Sequence, residues 1–148
     1  MKFELLFSII ALAAICISCS GKRPSNLGAA DGKLNPCPSS PNCVSSQAPS
    51  DDKEHFIEPL KYSSSLKEAK DQLGKAINSM KRAKIITEKE NYLYAEFTSA
   101  LFRFVDDVEF YFDEANKTIH VRSASRLGYG DLGVNRKRVE ELRSIFSK

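Results

Sequence analysis

Apolar positions follow a helical period in two stretches and a period of two in several shorter ones. In SSSLKEAKDQLGKAINSM, Leu66, Ala69, Leu73, Ala76, Ile77 and Met80 fall on one stripe, which predicts a helix over about 65–80. Ser64 or Ser65 suits its N-cap, and Glu68 stands three residues after Ser65 as a capping box requires. The second helical stripe is Val139, Leu142, Ile145 and Phe146, predicting a helix over about 135–146. Strand patterns fill the rest: HFIEPLKY before the first helix, then AKIITEKE and NYLYAEFTSA as a hairpin, then a second hairpin in VDDVEFYFDEANKTIHVRSAS. Setting Phe112 opposite Ile119 puts Phe110 opposite Val121 on one face, and Tyr111 opposite His120 and Glu109 opposite Arg122 on the other.

The resulting order is β-α-β-β-β-β-α, and strands and helices do not alternate as a parallel sheet would need. The expected class is therefore α+β, an antiparallel sheet of four to five strands with both helices packed on one face. A single domain over 53–148 accommodates every stripe.

The N-terminus carries a different pattern. MKFE precedes an apolar run from Leu5 to Ile17, too short for a spanning helix of about 20 residues but suited to a secretion signal over 1–18. Ser18 and Cys19 end that run as a bacterial lipoprotein signal does, although Cys16 stands where Leu is usual. This predicts cleavage before Cys19 and its acylation by palmitate-type chains. Ordinary cleavage and an uncleaved anchor are the alternatives. Residues 19–52, dense in Gly, Pro, Ser and Asn without periodicity, read as a lipid-anchored tether followed by an N-terminal wrap. The expected location is a membrane of the bacterial cell envelope, with the lipid bilayer as partner.

That compartment bears on the cysteines. With Cys16 and Cys19 accounted for, Cys37 and Cys43 remain as an even pair in an oxidising environment. They read as a disulfide staple whose short loop stabilises by about 2.4 kcal/mol. A redox site would more naturally be CxxC, and no metal site or cofactor is expected. The formal net charge of +3, with Lys interleaved among Glu and Asp, argues against nucleic acid.

Three segments carry a resemblance: CPSSPNCVSS (37–46), AEFTSALFRFVDDVEF (95–110) and VRSASRLGYGDLGVNRKRVEELR (121–143). In this order they resemble the bacterial and plastid family catalogued as domain of unknown function 1499, from about Cys37 to the C-terminus. The resemblance implies no reaction, cofactor or catalytic residue. Gly130 departs from the Ser common before the Asp.

Candidate chemistry comes from the residues alone. GYGDLG spells GxGxxG, but the 15 residues after Gly133 leave no room for the second strand and acid of a dinucleotide fold, so it reads as a turn. Arg122, Ser123, Ser125, Arg126, Asp131, Asn135 and Arg136 form, with Arg138, the densest polar set. They equip the chain for an anionic or polar ligand, or else build a rigid corner with Asp131 or Asn135 capping the last helix and Arg126 pairing with Asp106 or Asp131. Asp106, Asp107, Glu109, His120 and Arg122 are the residues an enzyme acting on an envelope component would use, unless Glu109 and Asp107 serve to pair with Arg122 across strands. The functional expectation is a membrane-anchored lipoprotein with a non-catalytic binding or scaffolding domain, with the enzyme as alternative.

Overall fold

The computed structural model describes residues 20–148, so the signal segment 1–18 and Cys19 lie outside the described residues. Helix α1 spans Leu66–Ser79, with Ser65 as N-cap: its side chain accepts from the Glu68 N–H while Glu68 reaches back to the Ser65 N–H. This reciprocal cap and the buried stripe Ala69, Leu73, Ala76 and Ile77 reproduce the sequence reading within a residue. Met80, extended, ends it. Helix α2 spans Val134–Phe146 and buries Val139 and Leu142.

The main sheet is antiparallel apart from one isolated parallel bridge between Ser45 and Phe56. It is formed by β3 (Cys43–Ser45), β4 (Leu60–Lys61), β5 (Ala83–Glu88), β6 (Tyr92–Thr98), β7 (Val105–Asp113) and β8 (Thr118–Ser125). The order is β3-β8-β7-β6-β5, with β4 also pairing β8. The β7–β8 register is the expected one: Phe112 opposite Ile119, Phe110 opposite Val121, Tyr111 opposite His120 and Glu109 opposite Arg122. Alternation fixed it, because a one-residue slip would turn four apolar side chains off the core.

Two corrections concern the sheet. It has six strands instead of four to five, because the unpatterned segment before residue 53 supplies β3, whose three residues are all buried and too short to show a period. HFIEPLKY yields just the two-residue β4, since Pro59 immediately before it has no N–H to give a ladder. Outside this sheet, β1 (Ala29–Ala30) and β2 (Lys33–Leu34) form a small hairpin around Asp31-Gly32, both at positive φ (50° and 76°) as a tight two-residue turn demands.

The sheet has two unlike faces. One presents Val44, Leu93, Ala95, Phe97, Val108, Phe110, Phe112, Ile119 and Val121 to α1 and α2, making the main apolar core. The other presents Tyr92, Tyr94, Glu96, Asp107, Glu109, His120, Arg122 and, just past β8, Arg126. The segment expected to be a loose tether runs along this second face. Arg23 donates to Glu96 (2.8 Å), Gly28 N–H to Glu109 (2.8 Å), and Leu27 and Leu34 pack with Tyr92 and Tyr94.

Candidate functional site

Strand alternation divides the candidate ligand residues between the two faces. On the second face Arg126 lies against Asp107: Nε donates at 3.0 Å to Oδ2 and Nη2 at 2.7 Å to Oδ1, with 6% and 2% of the two side chains exposed. Nη2 also donates to Tyr94 Oη (3.0 Å) and pairs with Glu96. The hydrogen bonds to Asp107 raise the Arg126 pKa above the ordinary arginine value, against the opposing effect of burial, and Glu96 adds to the rise. Burial pushes Glu96 upward, but hydrogen bonds from Arg126, Arg23 and Tyr94 outweigh it and hold that carboxyl below the usual range. Arg122 Nη1 lies 3.3 Å from Glu109, a fully buried carboxylate that also accepts Tyr92 O–H (2.8 Å). Burial and the neighbouring Glu109 raise the Tyr92 phenol well above its ordinary value.

The helix face carries a separate network. Asn135, wholly buried, donates to Asn42 O (3.1 Å), Ser125 Oγ (2.9 Å) and Asp131 Oδ2 (2.8 Å), and accepts from Ser123 Oγ (2.6 Å) and Arg138 Nη1 (2.7 Å). Arg138 also pairs with Asp106 and lies over the Phe97 ring, 5.0 Å from its centroid. Asp131 accepts the Gly133 and Asn135 N–H groups (2.9 and 2.8 Å), so it satisfies the start of α2 although Gly133 occupies the N-cap. Arg136 reaches away, to Lys53 O and Glu54 O.

Of the seven candidate ligand residues, Ser123, Ser125, Asp131 and Asn135 therefore meet around one buried amide. Arg122 and Arg126 lie across the sheet from them, and Arg136 clamps a loop. The arginines face protein carboxylates or carbonyls, and prising a buried pair such as Arg126–Asp107 apart for a ligand anion would cost about 3–5 kcal/mol. The set does not form one cleft. The enzyme candidates are divided too: Asp106 faces α2, Asp107 and Glu109 hold arginines, and His120 stands apart from them.

His120 opens onto a groove of about 900 Å³ between β2, the 36–39 loop and the 45–49 segment. Ser46 Oγ lies 3.3 Å from His120 Nδ1 and accepts the Val121 N–H at 2.9 Å. The Tyr111 ring lies nearly parallel to the imidazole, with centroids 6.3 Å apart. Burial lowers the His120 pKa, partly offset by Asp113, which favours a neutral imidazole near pH 7. Across the groove the hydrogen bond to Asp52 (2.8 Å) raises the His55 pKa against its burial, and His55 Nε2 faces Ser40 O (3.2 Å). Gln47 spans the rim, accepting from Leu34 N–H and donating to Gly32 O, each at 2.8 Å.

Ser46, Gln47, Asp52 and His55 were not among the sequence candidates. Two signals pointed at them: Ser46 lies within the CPSSPNCVSS segment, and Asp52 precedes His55 by three residues. The expected Cys37–Cys43 disulfide is present, Cα atoms 5.6 Å apart, and Cys37 helps line the groove. Among the described residues no three His, Cys, Asp or Glu side chains are grouped as metal ligands, and no helix is long and apolar enough to cross a membrane.

No match to the chain is found among curated proteins. Residues 33–146 match the family model described as "Protein of unknown function (DUF1499)", a span holding both helices and the whole main sheet, and the chain belongs to that family.

Proposed function

We propose that this protein is a lipoprotein of the bacterial cell envelope, anchored through acylated Cys19, whose domain binds a small polar ligand without transforming it. The groove at His120 carries the reading. Its volume of about 900 Å³ falls in the range of small-molecule sites, and its wall offers a hydroxyl, a carboxamide, a neutral imidazole and the exposed Lys33 beside the apolar surfaces of Leu34 and Pro36. The groove is preferred to the arginine corner because Arg122 and Arg126 already face protein carboxylates. Binding through Lys33, Ser46, Gln47 and His120 suits a ligand with hydroxyl, amide or single carboxylate groups.

A thermal-shift screen of sugars, amino acids and small organic acids against the mature protein tests this. A stabilising ligand should lose its effect in His120→Ala while the unliganded melting temperature changes little. Turnover of that ligand by the wild type would overturn the non-catalytic reading.

One observation favours a second reading, an enzyme acting on an envelope component. Ser46 Oγ is within reach of a neutral His120, the first two members of a nucleophile–base set. Against it, the Val121 N–H already occupies a lone pair of that oxygen, making it a poorer nucleophile. An esterase and amidase panel in which the wild type is active and Ser46→Ala is silent would establish this reading. Equal rates for the two would remove it.

A further inference from the structure

Among the described residues seven large apolar side chains are exposed: Leu101, Phe102, Phe104, Leu127, Tyr129, Leu132 and Val134. They all lie at one end of the sheet. The first three occupy the β6–β7 turn, and the rest follow β8 up to the start of α2. The Arg126 N–H donates to Val105 O (3.2 Å), which ties the second segment to the strand that leaves the first.

Hydrogen bonds hold the backbone of both segments. The β6–β7 turn is closed by Ser99 N–H to Phe104 O (2.8 Å) and Phe104 N–H to Ser99 Oγ (2.9 Å), leaving Leu101 and Phe102 projecting, 79% and 64% exposed. The second segment is held by Asn42 Nδ2 donating to Gly128 O (2.6 Å) and by Asp131 bonding Gly133, with Tyr129 77% and Leu132 95% exposed. Exposed apolar side chains gathered at one end of a hydrogen-bonded scaffold mark a contact site.

The N-terminal segment indicates what that contact is. Gly21, at φ +69°, lies so close to this corner that an added Cβ would meet Arg126 Cβ at 3.0 Å and Leu127 Cγ at 3.1 Å. Cys19 is two residues away, a reach of about 7 Å. From Gly21 the chain runs along the sheet, where Arg23–Glu96 and Gly28–Glu109 bonds hold it and deny the anchor a long leash. Lys22, Arg82 and Arg103, exposed around the same end, suit anionic headgroups.

We infer that Leu101, Phe102, Tyr129 and Leu132 insert into the interfacial layer of the bilayer, so that the domain stands on the membrane by this end. The inference rests on the reading that Cys19 carries lipid. Phe and Leu tips flanked by Lys and Arg have the composition of interfacial membrane contacts. The Glu114–Lys117 turn, at the opposite end of β7, then points about 27 Å away from the membrane. His120 sits about 17 Å along β8 from the membrane end, so the groove opens above the headgroups.

The chain contains no Trp, so single substitutions report depth without background. Phe102→Trp, Leu132→Trp and Asn116→Trp would each be made in the full chain, exported, and reconstituted in phosphatidylglycerol–phosphatidylethanolamine vesicles with and without brominated acyl chains. Phe102→Trp and Leu132→Trp should show blue-shifted emission that the brominated lipid quenches, and Asn116→Trp should show neither. Mass spectrometry of the same samples reads the state of Cys19. Acylated Cys19 with unquenched Phe102→Trp and Leu132→Trp would overturn the insertion and leave the anchor standing, assigning the apolar end to a protein partner. Unmodified Cys19 would overturn the anchor, whereas quenching at both tips would still support insertion.

Discussion

Replacing Arg126 with Met distinguishes a ligand-binding arginine from a structural one. The Arg126 side chain is 6% exposed and its guanidinium meets Asp107, Glu96 and Tyr94. Methionine fills much of the same volume but leaves Asp107, itself 2% exposed, with Tyr94 O–H at 2.6 Å as its remaining side-chain donor. Leaving a buried carboxylate without its counter-charge costs about 3–5 kcal/mol. For a domain of this size that lowers the melting temperature by about 10–15 °C. The double variant Arg126→Met/Asp107→Asn removes both charges, while Glu96 keeps Arg23. It should recover part of the loss, with a coupling free energy of at least about 1.5 kcal/mol between the two sites. Calorimetry or urea unfolding of the wild type, both single variants and the double variant at pH 7 gives all four corners of the cycle. A melting temperature for Arg126→Met within about 2 °C of wild type, or additive single effects, would refute the structural role and return the arginine to the ligand candidates.

Two further predictions concern stability. Reducing the Cys37–Cys43 bond, or replacing both with Ser, should lower stability by about 2.4 kcal/mol, read from the denaturation midpoint, and non-reducing peptide maps of the native protein should link the two. The two histidines should bend the pH profile in opposite senses. The raised His55 pKa contributes stability that is fully present below the unfolded value of about 6.5 and is lost as pH rises through the folded value. The lowered His120 pKa contributes stability that is present above about 6.5 and lost as pH falls toward its folded value. Melting temperatures between pH 5 and 8 should therefore fall more steeply on acidification in His55→Gln than in wild type, and less steeply in His120→Gln. The same slope in all three proteins would contradict both assignments.

How much could be read in advance depends on how local the cause was. Helix α1 was legible because its cap, its capping-box Glu68 and its apolar stripe all lie within 16 residues, 65–80. The β7–β8 register was legible because a short turn leaves little freedom in how Val108, Phe110, Ile119 and Val121 can share a face. Strand β3 was not, since three residues show no period and their partners on β8 are 77 or more residues away. The Asp31-Gly32 turn between β1 and β2 is a local signal, but strands of two residues on either side carry no alternation to accompany it.

The candidate site shows the same division at the level of chemistry. The sequence by itself determined which charges are close along the chain, the alternation that sends Asp106 and Asp107 to opposite faces, and the Glu109–Arg122 pairing, because each follows from dihedral geometry and neighbouring turns. Tertiary structure alone decided that Arg126 faces Asp107 and Glu96, that Arg138 takes Asp106, that residues 21–34 cover the polar face, and that Ser46 and His55 join His120 at one groove. These partners are 19 to 81 residues apart in the chain, and they meet because two unlike sheet faces are buried, one under helices and one under an extended segment, which brings charges distant in sequence against one another.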